Sequence, residues 1–307
     1  MTLAIFCSGQ GAQHAAMLDI VQHDQQAAEI IAAGESVLGY SLRGVLARKE
    51  QMFRNVIAQP LICLTQLAIW TALRKSLPKP AAFCGYSVGE LGAYACAGAL
   101  DACALAQLAT SRAELMDHAA VTAHGGLLAI QGLSRSDLRQ LCAGKAAWIS
   151  IAIGADEFVV GGEDAVLAAL TASCAARGAA VTRLKVGLAS HTPLLSTAVQ
   201  PFREVLDRSS FGMPESTVVA GVDATWVLHR DTAVEKLAVQ LDRTIEWMDC
   251  LDVLYERGCR VFLELGPGRA LTRMVLARHG QVAARAVDDF RSLSGIITWL
   301  DKQTRDC

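Results

Sequence analysis

The stretch Ala82-Phe83-Cys84-Gly85-Tyr86-Ser87-Val88-Gly89-Glu90-Leu91 sets a serine between two glycines, where an apolar run gives way to a stretch of small residues. Gly85-Tyr86-Ser87-Val88-Gly89 fits G-x-S-x-G. That spacing has a mechanical reason: the turn is so tight that neither glycine position tolerates bulk, and the hydroxyl is held out from a sheet over a helix N-terminus. Ala81-Ala82-Phe83-Cys84 is fit for a buried strand and Leu91-Gly92-Ala93-Tyr94-Ala95-Cys96-Ala97 for a helix, which supplies the strand–turn–helix context the motif needs. Ser87 is therefore a candidate nucleophile on an α/β sheet, with an ordinary N-cap serine in a glycine-rich turn as the alternative.

The 307 residues, 52% hydrophobic and 19% charged, suffice for one large core or two modest domains and leave no room for a long disordered region. No apolar run is expected to approach the ~18 residues that span a membrane, and the opening Met1-Thr2-Leu3-Ala4-Ile5-Phe6 lacks the basic region of a signal peptide. The expectation is a cytoplasmic protein that does not engage a membrane. The ten cysteines form no C-x-x-C pair and are scattered through apolar segments, so they read as reduced core residues, and no metal site is expected. A formal net charge of −2 offers no footprint for nucleic acid.

Leu3-Ala4-Ile5-Phe6-Cys7 reads as a buried strand, followed by Ser8-Gly9-Gln10-Gly11-Ala12-Gln13, whose two glycines leave the Gln10 N–H exposed. Neither phosphate-cradling glycine motif is completed there. A helix is expected over 24–38, then a turn at Gly39, then an apolar helix over 61–73 with Pro60 in its first turn. Beyond the serine, Gly98 ends one helix and Asp101 caps the next, over 102–118. Leu105, Leu108, Leu115 and Met116 mark its inward stripe, and Arg112 lies on or beside that stripe. Its partner is a protein carboxylate, water reached by snorkelling, or a substrate carboxylate held bidentately.

From 125 to 186 short β-rich runs (Leu127-Leu128-Ala129-Ile130, Trp148-Ile149-Ser150-Ile151, Phe158-Val159-Val160-Gly161, Val181-Thr182-Arg183-Leu184) alternate with helices over 134–141 and 163–177. The order β-α-β-β-α-β is that of a ferredoxin-like unit, taken as an inserted subdomain. Ser190-His191-Thr192-Pro193 then leads into a helix and leaves His191 on the loop at its entrance, either solvated or catalytic. The chain closes with Val261-Phe262-Leu263-Glu264-Leu265-Gly266-Pro267-Gly268, a strand running into a turn, and a basic helix carrying Arg269, Arg273 and Arg278.

Five ordered motifs (Gly9-Gln10-Gly11-Ala12-Gln13, Gly85-Tyr86-Ser87-Val88-Gly89-Glu90, an arginine 25 residues after the serine, Ser190-His191 and Glu264-Leu265-Gly266-Pro267-Gly268) together resemble the malonyl-CoA:acyl carrier protein transacylases over nearly the whole chain. Tyr86 before the serine, where histidine is commoner, and the stand-alone length make it most similar to the epsilon subunit of malonate decarboxylase. The resemblance implies an α/β-hydrolase-like large domain from 1–122 and 188–307, with the ferredoxin-like unit at 123–187. It implies Ser87 as acyl-accepting nucleophile, His191 as general base and acid, and Gln240 as the glutamine whose carbonyl orients the histidine. Gln10 and Val88 would supply the oxyanion-hole N–H groups, and Arg112 would bind the malonyl carboxylate. Malonyl-CoA is then a substrate, no cofactor is bound permanently, and the partners are an acyl carrier protein with a phosphopantetheine-type arm and possible other malonate decarboxylase subunits. Arg269, Arg273 and Arg278 would be either a solvated face or a landing surface for an acidic carrier. A malonyltransferase of fatty-acid or polyketide synthesis, a serine esterase or thioesterase, and a non-catalytic scaffold are the alternatives. Ser8, in place of a common proline, and Tyr86 depart from the family pattern.

Overall fold

The computed structural model describes residues 2–121, 124–184 and 186–305, so the expected boundary at 122–123 falls outside the described residues. From the N-terminus the elements are β1 (Thr2–Cys7), α1 (Gln25–Leu38), α2 (Leu42–Leu46), α3 (Asn55–Leu73), β2 (Ala82–Gly85), α4 (Gly89–Cys96) and α5 (Ala102–Ala120). There follow β3 (Gly125–Gln131), α6 (Arg135–Cys142), β4 (Ala147–Ala152), β5 (Glu157–Glu163), α7 (Asp164–Ala175) and β6 (Ala180–Arg183). The chain returns with α8 (Ser196–Arg208), β7 (Val218–Val219), β8 (Trp226–Val227), α9 (Arg230–Val239), α10 (Trp247–Glu256), β9 (Cys259–Leu265), α11 (Ala270–Arg278), β10 (Ala283–Ala286) and α12 (Leu293–Arg305).

The larger sheet has the order β10-β9-β1-β2-β7-β8 and is parallel except for β8. Its central strands are apolar at nearly every position because both faces are covered, as parallel sheets require. Successive residues of β1 alternate between two cores: Leu3, Ile5 and Cys7 enter one with α3, α4 and α5, and Ala4 and Phe6 enter the other with α10 and α11. The smaller sheet, β4-β5-β3-β6, is antiparallel and joined β-α-β-β-α-β, the connection expected from the sequence. Leu127, Ile151 and Val159 on its inner face join the second core, while Leu128, Ile130, Phe158 and Val160 pack on α6 and α7. The fold is mixed α/β.

Three strands end level with one another: Cys7 pairs with Gly85 of β2 and with Leu265 of β9. Chain connections leave β1 toward β2 on one side and β9 toward β10 on the other, so the order reverses between them. In an open α/β sheet that is where a crevice opens past the strand ends. The loops after β1, β2 and β9 meet there.

The cap expected at α5 is present, Asp101 accepting from the Ala104 amide, and Asp24, expected as the first residue of α1, caps it instead by accepting from the Ala27 amide. The helix expected to open at Pro60 instead begins at Asn55, with Pro60 inside it. A proline there removes only the bond to the Val56 carbonyl in the first turn, and burial of Ala58 and Gln59 holds that turn in place. A second correction follows. Asn55–Ser76 is long and apolar enough to cross a membrane, contrary to the expectation that no run approaches that length, and 83% of its apolar window is buried inside the protein. It is apolar all round because it is packed all round.

Trp247 at the start of α10 is fully buried, 5.5 Å from the Phe6 ring and 5.2 Å from that of Tyr86, and its Nε1 has no hydrogen-bond partner among the described residues. Trp247→Ala should lose roughly 3–5 kcal/mol by emptying the space. Trp247→Phe, which also removes an unpaired N–H, should lose less than about 2 kcal/mol. Denaturant melts of both variants check the order; equal losses would mean that ring volume is not what Trp247 supplies.

Candidate active site

The serine elbow forms because side chains are absent on either side of it. A Cβ on Gly85 would lie 2.2 Å from the Glu90 nitrogen, and one on Gly89 would lie 2.2 Å from the Cys7 carbonyl oxygen. The chain can therefore turn from β2 into α4 flush against β1, and Ser87 takes φ of 56° at the corner. That left-handed conformation costs on the order of 1 kcal/mol for a residue with a Cβ. His191 arrives from the loop before α8 with φ of 62°, held by its own N–H to the Leu241 carbonyl (2.9 Å). The smaller sheet fastens the same loop, since Ser150 Oγ of β4 donates to the Ser190 carbonyl at 2.7 Å.

Ser87 Oγ lies 2.8 Å from His191 Nε2, and His191 Nδ1 lies 2.6 Å from the backbone carbonyl of Gln240. A carbonyl only accepts, so Nδ1 carries the proton and Nε2 is bare toward the serine. The histidine is 1% exposed rather than a solvated loop residue. Burial first, and the Arg112 charge second, push its pKa down from 6.5 to about 3, with the Gln240 carbonyl pulling the other way. The imidazole is thus neutral at physiological pH, as a base must be before it accepts a proton.

The glutamine side chain has a different task from its backbone. Gln240 Oε1 accepts from Arg112 NH2 (2.8 Å), while Nε2 donates to Glu90 Oε2 (2.6 Å) and approaches the Ser87 carbonyl (3.3 Å). Arg112 has no exposed surface, and NH1 donates to Gln59 Oε1 at 2.8 Å. Its Nε is unpartnered, and among the described residues no carboxylate pairs with it. Neither the protein carboxylate nor the snorkelling route considered for Arg112 is therefore present. Burial lowers the guanidinium to about 10, leaving it charged at neutral pH. Glu90, equally buried, is raised to about 7 by desolvation, against the opposing effects of the Gly221 and Gln240 hydrogen bonds and the Arg112 charge.

Gln10 sits on the loop after β1, its side chain donating to Asn55 Oδ1 at 3.1 Å. Asn55 Oδ1 also accepts from Gln59 Nε2 (2.8 Å), which ties that loop to the partner of Arg112. The backbone amides of Gln10 and Val88 make no hydrogen bond among the described residues. A cleft of about 250 Å³ is lined by Gln10, Tyr86, Ser87, Met116, His191 and Met274, among others. Met116, one turn after Arg112, lines it, whereas Arg112 itself does not. Tyr86 packs its ring edge-on against Trp247 at the cleft wall. Ser8 donates its N–H to the Leu265 carbonyl at 3.1 Å, a bond that proline at this position lacks.

The sequence places Ser87, His191, Gln240, Gln10, Val88 and Arg112, and the structure gathers Ser87, His191, Gln240 and Arg112 into one hydrogen-bonded set with Gln10 at the rim of the same cleft. It also enlists residues to which no role was given: Asn55, Gln59, Gln66 and Glu90. Gln66 Nε2 holds the Ser8 carbonyl at 2.7 Å, opposite the space left by Gly92. Their one visible signal is polarity inside an apolar run, as with Gln59, Thr65 and Gln66 in α3. Of the basic helix, Arg278 is paired bidentately with Asp252 and Arg269 with Asp289, which leaves Arg273 exposed.

A model of the acyl transferase domain matches residues 5–290. The chain belongs to the acyl transferase family. A malonyl CoA-acyl carrier protein transacylase of Salmonella typhimurium is 25% identical over 94% of this chain and 97% of its own. The transacylase structure from Coxiella burnetii superposes with a TM-score of 0.93 at 25% identity, covering 99% and 98% of the two chains. A malonyl-transacylase in complex with its type II polyketide acyl-carrier protein gives 0.92 at 27% identity, covering 97% and 99%.

A buried neutral histidine has two consequences for pH. His191 should contribute no inflection near 6.5, the ordinary histidine value, to the pH–rate profile from 5 to 8, and any inflection near 7 should belong to Glu90 and vanish in Glu90→Gln. Because the folded pKa lies below the unfolded one, the unfolded chain takes the proton first. This histidine therefore contributes stability that is complete above pH 6.5 and is lost as pH falls toward about 3. A rate inflection near 6.5 that persists in Glu90→Gln would contradict the placement.

Proposed function

We propose that this protein moves a malonyl group from malonyl-CoA, through an ester on Ser87, to the phosphopantetheine-type thiol of an acyl carrier protein. The observation that carries the reading is the buried guanidinium of Arg112, one side-chain amide away from the nucleophile and held by two neutral oxygens with no carboxylate partner among the described residues. A malonyl thioester brings the missing carboxylate, and the relatives' names supply the carrier. In this reading Ser87 Oγ attacks the thioester carbonyl carbon as its proton passes to His191 Nε2. The oxyanion develops between the amides of Gln10 and Val88, an arrangement worth several kcal/mol. Collapse breaks the C–S bond, and the departing coenzyme A sulfur takes the proton from the imidazolium. The carrier thiol then gives its proton to Nε2, attacks the ester carbon and returns Ser87 to its starting state. Malonyl-CoA enters as substrate, and no step calls for a permanently bound cofactor.

The same proposal takes 1–122 and 188–307 as an α/β-hydrolase-like acyltransferase domain and 123–187 as a ferredoxin-like insertion, supported by the sheet orders. It assigns the chain to charging the carrier subunit of malonate decarboxylase, as the epsilon subunit of that complex, with Tyr86 as the supporting residue. Malonyl transfer in fatty-acid or polyketide synthesis is the second reading, favoured by the names of the relatives and by the polyketide complex.

Incubation with malonyl-CoA alone should add a malonyl group to Ser87, seen by intact mass and absent in Ser87→Ala; the mass appearing on a cysteine would refute the mechanism. Arg112→Ala should lower malonyl transfer by about a hundredfold while sparing acetyl transfer, as loss of a buried charge pair with the substrate predicts. Equal loss for both thioesters would make Arg112 a structural residue. The kcat/KM for a malonate decarboxylase carrier against a fatty-acid carrier decides between the two pathways.

A further inference from the structure

Glu90 follows the second glycine of the elbow and donates its backbone N–H to the Ser87 carbonyl at 3.0 Å; its side chain lines no part of the cleft, yet it is fully buried on the first turn of α4. Its Oε2 accepts from the Gly221 amide (3.0 Å) and from Gln240 Nε2 (2.6 Å), and its Oε1 has no partner among the described residues. Burying a carboxylate is expensive unless it is hydrogen-bonded, so the orientation of these two donors is what keeps it tolerable. Gly221 is shaped for the contact, since a Cβ there would come within 3.0 Å of Oε2.

The Gln240 amide is a two-ended group, and here its ends are not interchangeable. Glu90 Oε2, which also takes the Gly221 N–H, acts as an acceptor and a guanidinium only donates, so Nε2 faces Glu90 and Oε1 faces Arg112. Remove the carboxylate, and the amide loses its strong anchor on the side away from the arginine, so Gln240 and the guanidinium it holds can shift together. Ser87 O, at 3.3 Å, is then the one acceptor left to Nε2.

We infer that Glu90 is a positioning residue for substrate choice: by anchoring the far end of the Gln240 amide, it holds the Arg112 guanidinium in place for a dicarboxylic acyl group. The inference rests on the acyl-transfer reading above and extends it to a residue whose side chain touches neither acyl group nor nucleophile. A fastening role, joining α4 to the loop after β7, would affect every substrate alike. A positioning role changes the ratio between substrates.

The experiment measures kcat/KM for Ser87 acylation by malonyl-CoA and acetyl-CoA in the wild type, Glu90→Ala, Glu90→Gln, Gln240→Ala, the Glu90→Ala/Gln240→Ala pair and Arg112→Ala. The malonyl:acetyl ratio should fall about tenfold or more in Glu90→Ala, as loss of a hydrogen bond to a charged group predicts. Glu90→Gln keeps an acceptor oxygen for both donors and should stay within about threefold of the wild-type ratio. The paired variant should fall no further than Gln240→Ala alone, because the two residues act through one amide. An unchanged ratio in Glu90→Ala, with both activities lowered in parallel, overturns the inference. Should Glu90→Ala not fold, Glu90→Asp withdraws the carboxylate from the Gln240 amide by one methylene, and an unchanged ratio there overturns it equally. If Arg112→Ala collapses the ratio while the Glu90 variants do not, the acyl-transfer reading stands and the positioning role falls; if Arg112→Ala also leaves the ratio intact, both fall.

Discussion

A guanidinium with no exposed surface is the most demanding object in this fold, and the polar interior is arranged around it. Two amide oxygens, from Gln59 and Gln240, accept from Arg112, and each of those amides is anchored in turn, by Asn55 on one side and Glu90 on the other. Amides stabilise the cation without neutralising it. A carboxylate in the same position would have completed the pair within the protein and left nothing for an acidic substrate to contribute. The elements that supply the set are α3, α4, α5 and the residue just past α9, so the charge is held by four pieces of chain far apart in sequence.

The same charge reaches the histidine. With a backbone carbonyl at Nδ1, His191 has no buried anion to steady an imidazolium, and Arg112 acts against protonation. In the proposed reading, a substrate carboxylate pairing with Arg112 would relieve one of the two influences holding the histidine down. Substrate binding and base strength would then be coupled through Gln240, whose main chain holds the histidine and whose side chain holds the cation. An acyl group without the carboxylate would leave the base as weak as it was.

The elbow was legible in the sequence because its constraint is local: Gly85 and Gly89 are required by backbone atoms a few ångströms away, and the motif records that requirement. Strands β1, β2 and β9 and the four strands of the smaller sheet were equally legible as short apolar runs, and Asp101 as a cap. What stayed hidden depends on distant neighbours. The start of α3 was misplaced because Pro60 is an ordinary helix-opening signal, and only tertiary burial extends the helix behind it. Strands β7 and β8, two residues each, are too short to have a period. The division of labour in Gln240 could not be seen, since one residue type has both a backbone and a side-chain carbonyl. Glu90 was visible as part of a motif, but its partner lies 150 positions away.

Ser87 and His191, the two residues that would exchange the proton, both occupy left-handed backbone that glycine adopts more readily. Neither can be glycine and still act, so the chain maintains a conformational tension at the two points where its chemistry is placed. Drift toward a more comfortable backbone at either position would yield a protein that is calmer and inert. Persistence of the two side chains in a lineage is then a record of selection for turnover, because selection for folding alone works against them.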